Sequence, residues 1–430
     1  MSEELKQYDS YYPVKYDYVD QLPTGWQLLP NIGIFQERIE RGYENEELLS
    51  VTIGRGVIKQ SELDKKDSST LDKSKYLLVY PNDLVYSMRF RQGASGYSNY
   101  KGIVSPACTV LRPKKDAKYN PRYFYYMFRT EFYKNYVERF AYGIADGQIP
   151  LRYVDFKRMY SIFPPIEVQN AIVAYLDEKI EKIARFISRK ENLIQLLNEE
   201  RNAVINKFIL KGINPNVKYK SSEIDWLGDL PEHWEVKKLK FISNVFGGST
   251  PETGNPKFWD GDIVWITPVD ISKVKGCYIL DSDRTITKAG LKSCSAKLVP
   301  PNTIILTTRA PIGNITLAAV KLATNQGCKS LIVKEGIPEY YYYQIEQIKD
   351  VLEELGTGTT FRELSATGLK NVFLAVPPYK EQTEIIKIIK DKTFEIEQII
   401  EKTKKEISAI NEYRESLITN LITGQKAVPM

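Results

Sequence analysis

Two segments of this 430-residue chain repeat each other closely enough to constrain the whole fold. Residues 163–176 read FPPIEVQNAIVAYL, and residues 376–389 read VPPYKEQTEIIKII. The correspondence continues without a gap for roughly 45 residues, at a constant offset of 213 positions. Internal similarity of this extent predicts a duplicated architecture.

Each copy has the features of one long helix. Pro-Pro suits the first turn of a helix but not its interior, and neither copy has a further Pro or Gly before Gly212 or Gly424. Apolar residues recur at the steps of a coiled-coil seam. A helix of about 44 residues is roughly 65 Å long, too long for the core of one domain. We therefore expect the two copies to pair with each other rather than to act as isolated core helices.

The predicted seam residues share this heptad-like spacing in both copies. They are Ile172, Leu176, Ile183, Ile187, Ile194 and Leu197, continued by Val204 and Phe208, in the first copy, and Ile385, Ile389, Ile396, Ile400, Ile407 and Ile410, continued by Leu417 and Leu421, in the second.

The segments that precede the helices also correspond, with Arg89 in register with Arg309 and Cys108 with Cys328. The matched segments are 22–26 with 230–234, 80–93 with 300–313, and 121–126 with 338–343. Strand-like stretches at 48–53, 76–80, 262–269, 303–308 and 331–334 alternate with turns, and helices are predicted at 121–140 and 338–355. The chain therefore has the order globular unit, helix, globular unit, helix.

The predicted fold is α+β, with two similar globular domains joined by two long antiparallel coiled-coil helices in a pseudo-two-fold repeat. The predicted boundaries are a lead segment at 1–20, a first globular domain at 21–162, a first spacer helix at 163–212, a second globular domain at 213–375, a second spacer helix at 376–424 and a tail at 425–430. The joint GINPNVKYKSSEIDWLG at 212–228 has the Gly, Asn, Pro and Ser content of a linker.

Charge is uneven along the chain. Residues 85–162 hold 14 Lys and Arg against 5 Asp and Glu, and residues 236–302 hold 10 against 6. Local positive charge mixed with Tyr, Asn, Gln and Ser fits a polyanionic partner, although a solvated basic face would have the same composition.

The catalytic motifs that this sequence partly resembles are all incomplete. The single histidine, His233, excludes a histidine-based triad or a multi-histidine metal site, and its surroundings indicate a surface or packing residue. The stretch 376–379, Val-Pro-Pro-Tyr, lacks the leading Asn or Asp of an amino-methyltransferase loop. There is no phosphate-binding G-x-x-x-x-G-K-[ST] motif, and Glu235-Val236-Lys237 is a weak nuclease fragment. By elimination we predict a binding protein.

The sequence also predicts the cellular compartment of the protein. The four cysteines are scattered without CxxC spacing, which favours a reducing cytoplasm. We expect no membrane association, because no apolar run approaches the ~18 residues of a membrane span and the N-terminus lacks a secretory h-region.

Several features of the chain are specific enough to indicate a family. They are the two PPxxxQ helix starts and the stretches SSEIDWLGDLPEHWEV (221–236), GGSTPETGNPKFWDGDIVWITPVDI (247–271), NTIILTTRAPIGN (302–314), ATNQGCKSL (323–331) and GTGTTFRELSATGLKNVFLAVPP (356–378). With them the chain resembles the specificity subunit of type I restriction–modification systems. The resemblance extends over essentially the whole chain and is most specific in the second half.

The resemblance implies that each globular unit is a target-recognition domain for one half of a split double-stranded DNA target. It implies that the helix pair sets the gap and docks two modification (methyltransferase) subunits, through which restriction and motor subunits join. It also implies that S-adenosylmethionine, ATP and Mg belong to those partners, and that this chain binds no cofactor or metal and is not an enzyme on its own.

The residues predicted to contact DNA are those able to form hydrogen bonds with base edges or phosphates. In the first unit they are Arg89, Arg91, Gln92, Tyr97, Ser98, Asn99, Lys101, Gln148 and Arg152, and in the second Arg309, Asn314, Thr359, Thr360 and Arg362, with Asn325 and Gln326 as weaker candidates. Trp26, Trp234 and Trp265 are predicted to be packing anchors.

Two other functions remain open from the sequence. A duplicated coiled-coil scaffold or adaptor without sequence-specific DNA binding is the alternative from a different class. An enzyme with its own methylation or cleavage site is opposed by the missing motifs.

Overall fold

The computed structural model describes residues 5–16, 18–63, 72–115, 117–140, 151–274, 276–358 and 362–429. The chain forms two compact units. Unit 1 comprises Met1–Lys190 with Lys404–Met430, and unit 2 comprises Glu191–Thr403.

Unit 1 contains the first set of strands and short helices and the first part of the first long helix, whose remaining residues belong to unit 2. The elements are β1 (Tyr11–Tyr16), β2 (Val19–Pro23), β3 (Gln27–Pro30), α1 (Asn31–Ile34), β4 (Phe35–Glu37), β5 (Leu49–Thr52), β6 (Gly56–Lys59), β7 (Leu77–Val79), β8 (Leu84–Tyr86), β9 (Ser95–Tyr97), β10 (Gly102–Val104), β11 (Thr109–Pro113), α2 (Pro121–Arg129), α3 (Glu131–Val137), α4 (Tyr153–Phe156), β12 (Tyr160–Phe163) and α5 (Ile166–Lys211), with 3-10 turns at Gln60–Glu62 and Phe90–Gln92.

Unit 2 contains the second set of strands and short helices and the first part of the second long helix, whose remaining residues belong to unit 1. The elements are β13 (Tyr219–Ser221), β14 (Asp229–Pro231), β15 (Glu235–Lys238), α6 (Leu239–Ile242), β16 (Ser243–Gly247), β17 (Trp259–Ile266), α7 (Pro268–Ser272), β18 (Tyr278–Ile279), β19 (Thr285–Ile286), α8 (Lys288–Ser293), β20 (Ile304–Thr307), β21 (Ile315–Ala318), β22 (Leu322–Thr324), β23 (Cys328–Val333), α9 (Pro338–Gln347), α10 (Lys349–Glu354), α11 (Ala366–Lys370), β24 (Phe373–Val376) and α12 (Tyr379–Ile422), with a 3-10 turn at Pro256–Phe258.

The two predicted long helices are confirmed. Helices α5 and α12 each begin directly after a Pro-Pro pair, which suits the first turn because its N–H groups have no intrahelical partner. They end before Gly212 and Gly424, whose φ values of 72° and 73° lie in the left-handed region. Glycine adopts that conformation without steric cost, so it closes both helices.

Within each unit, one half of α5 packs against one half of α12 in antiparallel order. In unit 1, Leu176 near the start of α5 shares a buried cluster with Leu417 near the end of α12. In unit 2, Ile209 near the end of α5 shares a cluster with Ile385 near the start of α12. The antiparallel pairing predicted from the repeat is therefore confirmed.

The predicted seam residues all avoid full exposure. Five of them are half-buried, namely Ile187, Ile194, Val204, Ile407 and Ile410. All the other predicted seam residues are buried. The seam also contains the buried Thr393 and Thr403, which the apolar pattern did not include.

The globular parts of the two units repeat one strand order. The sheet β4-β11-β8-β9 in unit 1 has its counterpart in β16-β23-β20-β21 of unit 2, where β18 adds a fifth strand. The pairs β12-β3 and β24-β15 also correspond, as do the hairpins β1-β2 and β13-β14. The duplicated α+β architecture is therefore present in the backbone as well as in the sequence.

The helices predicted at 121–140 and 338–355 are each broken in two, which corrects the prediction of single helices. Thr130 separates α2 from α3 with an extended ψ of 147°, and its Oγ1 donates to the carbonyl of Met127 at 2.6 Å. Ile348 separates α9 from α10 with ψ of 26°. Apolar spacing continues across each break, through Phe132 and Tyr136 in the first and Ile348 and Leu352 in the second, which is why the pattern resembles one helix.

The three tryptophans predicted to be packing anchors are buried, with Trp26 3%, Trp234 0% and Trp265 4% exposed. His233 lies at the surface, where its Nε2 is 2.9 Å from Oε2 of Glu381. That carboxylate also accepts from Nε1 of Trp234 at 3.1 Å, so both residues hold the start of α12.

None of the helices within the described ranges has both the length and the hydropathy that a bilayer span requires.

Candidate nucleic-acid interface

The predicted residues of unit 1 lie at the two ends of one hairpin rather than in one loop. The sequence predicts a polar loop from Arg89 to Lys101, but β9 crosses this region. It pairs with β8, with Ser95 opposite Tyr86 and Gly96 opposite Val85. A strand of three residues separates its ends by about 10 Å. Arg89, Arg91 and Gln92 therefore lie at one end, and Asn99 and Lys101 at the other.

At the first end, Arg89 is exposed at the start of the 3-10 turn. Phe90 is fully buried and anchors the turn, while Gly93 closes it with a left-handed φ of 91°. Arg91 is exposed and forms an ion pair with Glu138, and Gln92 is half-buried. The turn therefore presents Arg89 to solvent from a rigid base.

Arg129 fixes this turn, and the sequence did not single it out. Its Nη1 donates to the carbonyls of Gly93 at 3.0 Å and Ser95 at 3.3 Å. Its Nη2 donates to the carbonyls of Ile53 at 2.6 Å and Gly54 at 3.2 Å. The guanidinium thus joins the β8–β9 and β5–β6 connections to the end of α2. The sequence alone does not assign this role, because every residue has a backbone carbonyl and the four acceptors therefore share no residue type or spacing.

At the second end, Ser98 is corrected from a DNA-contact candidate to a turn residue. Its side chain is 0% exposed, and its Oγ donates to the carbonyl of Tyr100 at 2.8 Å and accepts from the N–H of the same residue at 3.1 Å. Asn99 is exposed, and Lys101 forms an ion pair with Glu46.

Asp83 anchors the same end of the hairpin. Its carboxylate accepts from Nε of Arg38 at 2.9 Å and from the N–H of Tyr80 at 2.8 Å, while its carbonyl accepts from the N–H of Ser98 at 2.8 Å. Burial raises the pKa of Asp83, although the hydrogen bond from Arg38 and the one from Tyr80 oppose that rise.

Tyr97 takes part in side-chain packing. Its ring meets that of Tyr125 edge-on at 5.5 Å, and the guanidinium of Arg122 lies over it at 5.6 Å. Half-buried between these groups, Tyr97 supports the hairpin more readily than it could stack on a base.

The later loop of unit 1 is represented by Arg152 alone, because Gln148 lies outside the described residues. Arg152 is exposed immediately before α4. The buried Phe156 of α4 contacts the ring of Tyr86 in β8 at 5.3 Å, so this short helix rests on the hairpin's core.

Unit 2 brings together two candidate segments that are distant in sequence. Arg309, directly after β20, is exposed, and its Nε donates to Oε2 of Glu363 at 3.1 Å. The N–H of Leu364 donates to the carbonyl of Thr308 at 2.8 Å. Arg362 is exposed beside this bridge, whereas Thr359 and Thr360 lie outside the described residues.

Asn314 is engaged inside the β20–β21 connection. Its Oδ1 accepts from Nζ of Lys349 at 2.9 Å, and its N–H donates to Oγ1 of Thr307 at 3.0 Å. Its side chain is half-buried, so it holds the connection in place while Arg309 remains at the surface.

The Gly-rich segment 247–257 lies beside a second polar turn, which contains the weaker candidates Asn325 and Gln326. Thr250 hydrogen-bonds Gln326, and Trp265 Nε1 donates to the carbonyl of Ser249 at 3.0 Å. A Cβ at Gly248 would lie 1.9 Å from the carbonyl oxygen of Asn325, so only glycine permits this close approach. The adjacent glycines Gly247 and Gly248 are the sequence signal that indicates this close backbone approach.

Two cations close to this segment lie over aromatic rings. Arg284 is 3.6 Å from the ring centroid of Trp259, and Lys297 is 3.7 Å from that of Phe246. Such contacts orient the charged groups without neutralising them. Among the residues that the structure describes, no group of three or more His, Cys, Asp or Glu is placed to hold a metal ion.

Comparison with known proteins agrees with this duplicated arrangement. The family model for the type I restriction modification DNA specificity domain matches residues 50–207 and 231–409, once over each half of the chain. The type I restriction enzyme MjaIX specificity subunit of Methanocaldococcus jannaschii is 36% identical over 197 residues, which is 45% of this chain and 45% of that relative.

A longer match covers most of the chain. The MjaVIII specificity subunit of the same organism is 23% identical over 377 residues, or 82% of this chain and 81% of the relative. A solved structure described as "Structural basis underlying complex assembly and conformational transition of the type I R-M system" covers 94% of this chain and 99% of its own, with a TM-score of 0.67 and 14% identity. At that identity the likeness shows the fold.

The family match covers well over half of the chain and falls on both halves of the repeat. The first match runs from β5 through most of α5, and the second runs from the end of β14 through most of α12. The chain therefore belongs to the type I restriction–modification DNA specificity family, as a specificity subunit with two target-recognition domains.

Proposed function

We propose that this chain is the non-catalytic DNA-recognition subunit of its complex, and that each unit recognises one half of a bipartite double-stranded target. The observation that carries the proposal is the repeated hairpin. Arg89 after β8 and Arg309 after β20 are exposed at equivalent positions of equivalent sheets.

The chemistry of these positions suits base recognition. A guanidinium forms two hydrogen bonds with O6 and N7 of guanine, and each good bidentate pair contributes about 1–3 kcal/mol of discrimination. Because Arg129 and Glu363 hold the two turns, little conformational entropy is lost when DNA binds. Asn99, Lys101, Arg152 and Arg362 are exposed and supply further base or phosphate contacts.

The partners that we propose are two modification subunits docked on this chain, with restriction and motor subunits joined through them. S-adenosylmethionine, ATP and Mg then belong to the partners, and the complex works in the cytoplasm. The paired long helices set the gap between the half-sites.

A gel-shift competition with the chain and its modification subunit tests the DNA role. We expect the protein complex to stay bound to DNA that contains the bipartite target when scrambled DNA is added in large excess. Replacing Arg309 by Ala should weaken that preference by about tenfold, as loss of one base contact does. Lys220→Ala, at an exposed site on β13, is the control for lost charge. Equal binding to target and scrambled DNA would favour the scaffold alternative.

A further inference from the structure

One end of the main sheet of unit 2 brings together two polar residues that are distant in sequence. Strands β20 and β23 are antiparallel, and their pairing continues one residue beyond both strands, because the N–H of Thr308 donates to the carbonyl of Gly327 at 2.8 Å. Arg309 directly follows the first of these bonded residues, and Gln326 directly precedes the second. Both therefore lie at the same end of the sheet.

The separation of these two residues suits contacts within one DNA half-site. Their Cα atoms are at most about 13 Å apart, since two Cα–Cα steps of about 3.8 Å add to roughly 5.5 Å between bonded partners. That distance spans no more than about four base pairs. Arg309 and Gln326 are both exposed, whereas the intervening Thr308 and Gly327 are buried.

Gln326 lies at the tip of a turn that internal hydrogen bonds hold. The N–H of Cys328 donates to the carbonyl of Asn325 at 3.2 Å, and Oδ1 of Asn325 accepts from the N–H of Gly327 at 2.9 Å. The amide oxygen of Gln326 accepts from Oγ1 of Thr250. The turn and its amide group therefore have defined positions before any ligand binds.

Unit 1 has the same turn with different chemistry at its tip. The N–H of Cys108 donates to the carbonyl of Ser105 at 2.9 Å, and Oγ of Ser105 accepts from the N–H of Ala107 at 3.3 Å. These two bonds match those of the unit 2 turn in the register of the repeat. The tip residue in unit 1 is the exposed Pro106, which corresponds to Gln326. The two turns therefore share a backbone arrangement and differ in hydrogen-bonding capacity, because a proline side chain has none.

The amide of Gln326 fits the major-groove edge of adenine. Adenine presents an acceptor at N7 beside a donor at N6, and an amide can bond to both through its own donor and acceptor. Guanine presents two acceptors there, so the amide oxygen would meet another acceptor. The bond from Thr250 leaves room for adenine, because a carbonyl oxygen has two acceptor lone pairs.

The neighbouring guanidinium complements this contact. Nε of Arg309 donates to Oε2 of Glu363, so Nη1 and Nη2 are the donors that would bind O6 and N7 of guanine. The carboxylate of Glu363 places one negative charge at this edge, which the guanidinium balances. The next residue along the chain, Arg362, is exposed and keeps the edge positively charged toward DNA.

We propose that Gln326 recognises an adenine in the half-site of unit 2, within about four base pairs of a guanine bound by Arg309. This inference rests on the proposed function and names a base that unit 2 requires. The equivalent position of unit 1 forms no side-chain hydrogen bond with a base, because it is Pro106. The two half-sites therefore differ in this contact although the turns are equivalent.

Base analogues test the contact at the level of single atoms. Sequencing of methylated sites first defines the target of the complex of this chain with its modification subunit. The half-site of unit 2 is the one in which Arg309→Ala relaxes the preference. Each adenine of the target is then replaced in turn by 7-deazaadenine, which keeps its base pairing but lacks N7. Competition gel shifts measure the relative affinity for each DNA.

We expect one adenine of that half-site at which 7-deazaadenine lowers the affinity of the parent complex about tenfold. Gln326→Leu should lower the affinity for the natural target by a similar factor, and the analogue at that position should then have no further effect. A structural role of Gln326 would weaken binding to every DNA equally and leave the analogue effect intact. An adenine bound by the modification subunit would lose affinity equally with both chains.

The matched control is Pro106→Leu, which changes the exposed tip of the equivalent turn in unit 1. It should leave the analogue effects of the parent complex unchanged. Since both substituted residues are exposed, both variants should fold, and thermal unfolding checks this.

Additive losses from Gln326→Leu and the analogue at every adenine would overturn the assignment. So would a unit 2 half-site with no A·T pair within about four base pairs of a guanine, or an Arg309→Ala variant that relaxes neither half-site. A parent complex that binds target and scrambled DNA equally would refute the proposed function itself. A complex that discriminates between them but shows no coupling at Gln326 refutes only the adenine contact.

Discussion

The side chain of Gln382 accepts a hydrogen bond from the backbone N–H of Ile337 at 2.8 Å. It also donates to the carbonyl of Pro377 at 2.9 Å, and it is 2% exposed. Gln169 makes the same two contacts in the other repeat, with the N–H of Asn120 and the carbonyl of Pro164. The repeated spacing PPxxxQ therefore joins the start of each long helix to the start of an aromatic helix.

Gln382→Leu should destabilise the protein by about 1–3 kcal/mol, because it leaves the partly buried N–H of Ile337 and the buried carbonyl of Pro377 without their shared partner. Leucine forms helices about as readily as glutamine, so a change in helix propensity does not contribute to the expected loss of stability. Urea unfolding measures the change. Gln195→Leu, at an exposed site on α5, should change the free energy of unfolding by less than about 0.5 kcal/mol. Equal effects of the two substitutions would contradict the assigned role.

Arg201 and Arg414 occupy the same position of the repeat but have different partners. Arg201 is 15% exposed and pairs with Glu397 at 3.2 Å and Glu346 at 3.4 Å. Arg414 is 35% exposed and pairs with its neighbour Glu415 at 3.3 Å.

Arg201→Met should therefore cost about 1.5–3 kcal/mol, since two carboxylates lose a shared charged donor. Arg414→Met should cost less than about 1 kcal/mol, as exposed pairs usually do. Thermal and urea unfolding of the two variants, matched in chemistry and repeat position, check the difference. A larger loss in Arg414→Met would show that the paired helices are held differently from this description.

Cys108 and Cys328 are in register in the repeat, and burial raises the pKa of each thiol to about 12. Because an unfolded thiol has a pKa of about 8.5, the protonated folded form contributes stability that is fully present below that pH. This contribution is lost as the pH rises toward 12.

Iodoacetamide labelling of the native protein at pH 8, read by peptide mass spectrometry, should therefore modify Cys328 far more slowly than the half-buried Cys294. Labelling in urea should remove the difference. Equal native rates would show that the β23 environment opens to solvent.

The long helices, their ends and their pairing could be predicted because they depend on local signals that recur at fixed steps. Each of these signals indicates one feature of a helix. Pro164 and Pro165 indicate its start, Gly212 indicates its end, and the Ile/Leu stripe indicates the face that packs against its partner. The break at Thr130 could not be predicted, since the residue is compatible with a helix and its extended ψ depends on tertiary packing of the aromatic residues around it.

The candidate site was predicted only in part. Arg89 and Arg309 are predicted because the repeat aligns them; the structure exposes both, and their contact with DNA stays a prediction. The side chain of Ser98 instead forms hydrogen bonds with the backbone of its own turn. A polar residue in a turn can form such bonds as readily as it can bind a ligand. Arg129 was missed because its four acceptors are carbonyls, which every residue carries.

The paired helices should act as a spacer between the half-sites. One heptad inserted within residues 176–210, with a matching heptad in α12, lengthens the pair by about 10 Å, or roughly three base pairs. Methylated-site sequencing should show a longer gap between unchanged half-sites. A change in either half-site sequence would contradict the spacer role.

The central claim is that the two units recognise separate halves of one target. Sequencing of methylated sites in cells that carry this chain with its partners tests it most directly, with the parent chain compared to Arg309→Ala. The account predicts a bipartite motif for the parent chain, and relaxed preference in one half alone for the variant. A continuous motif, or a variant that alters both halves together, would contradict the claim.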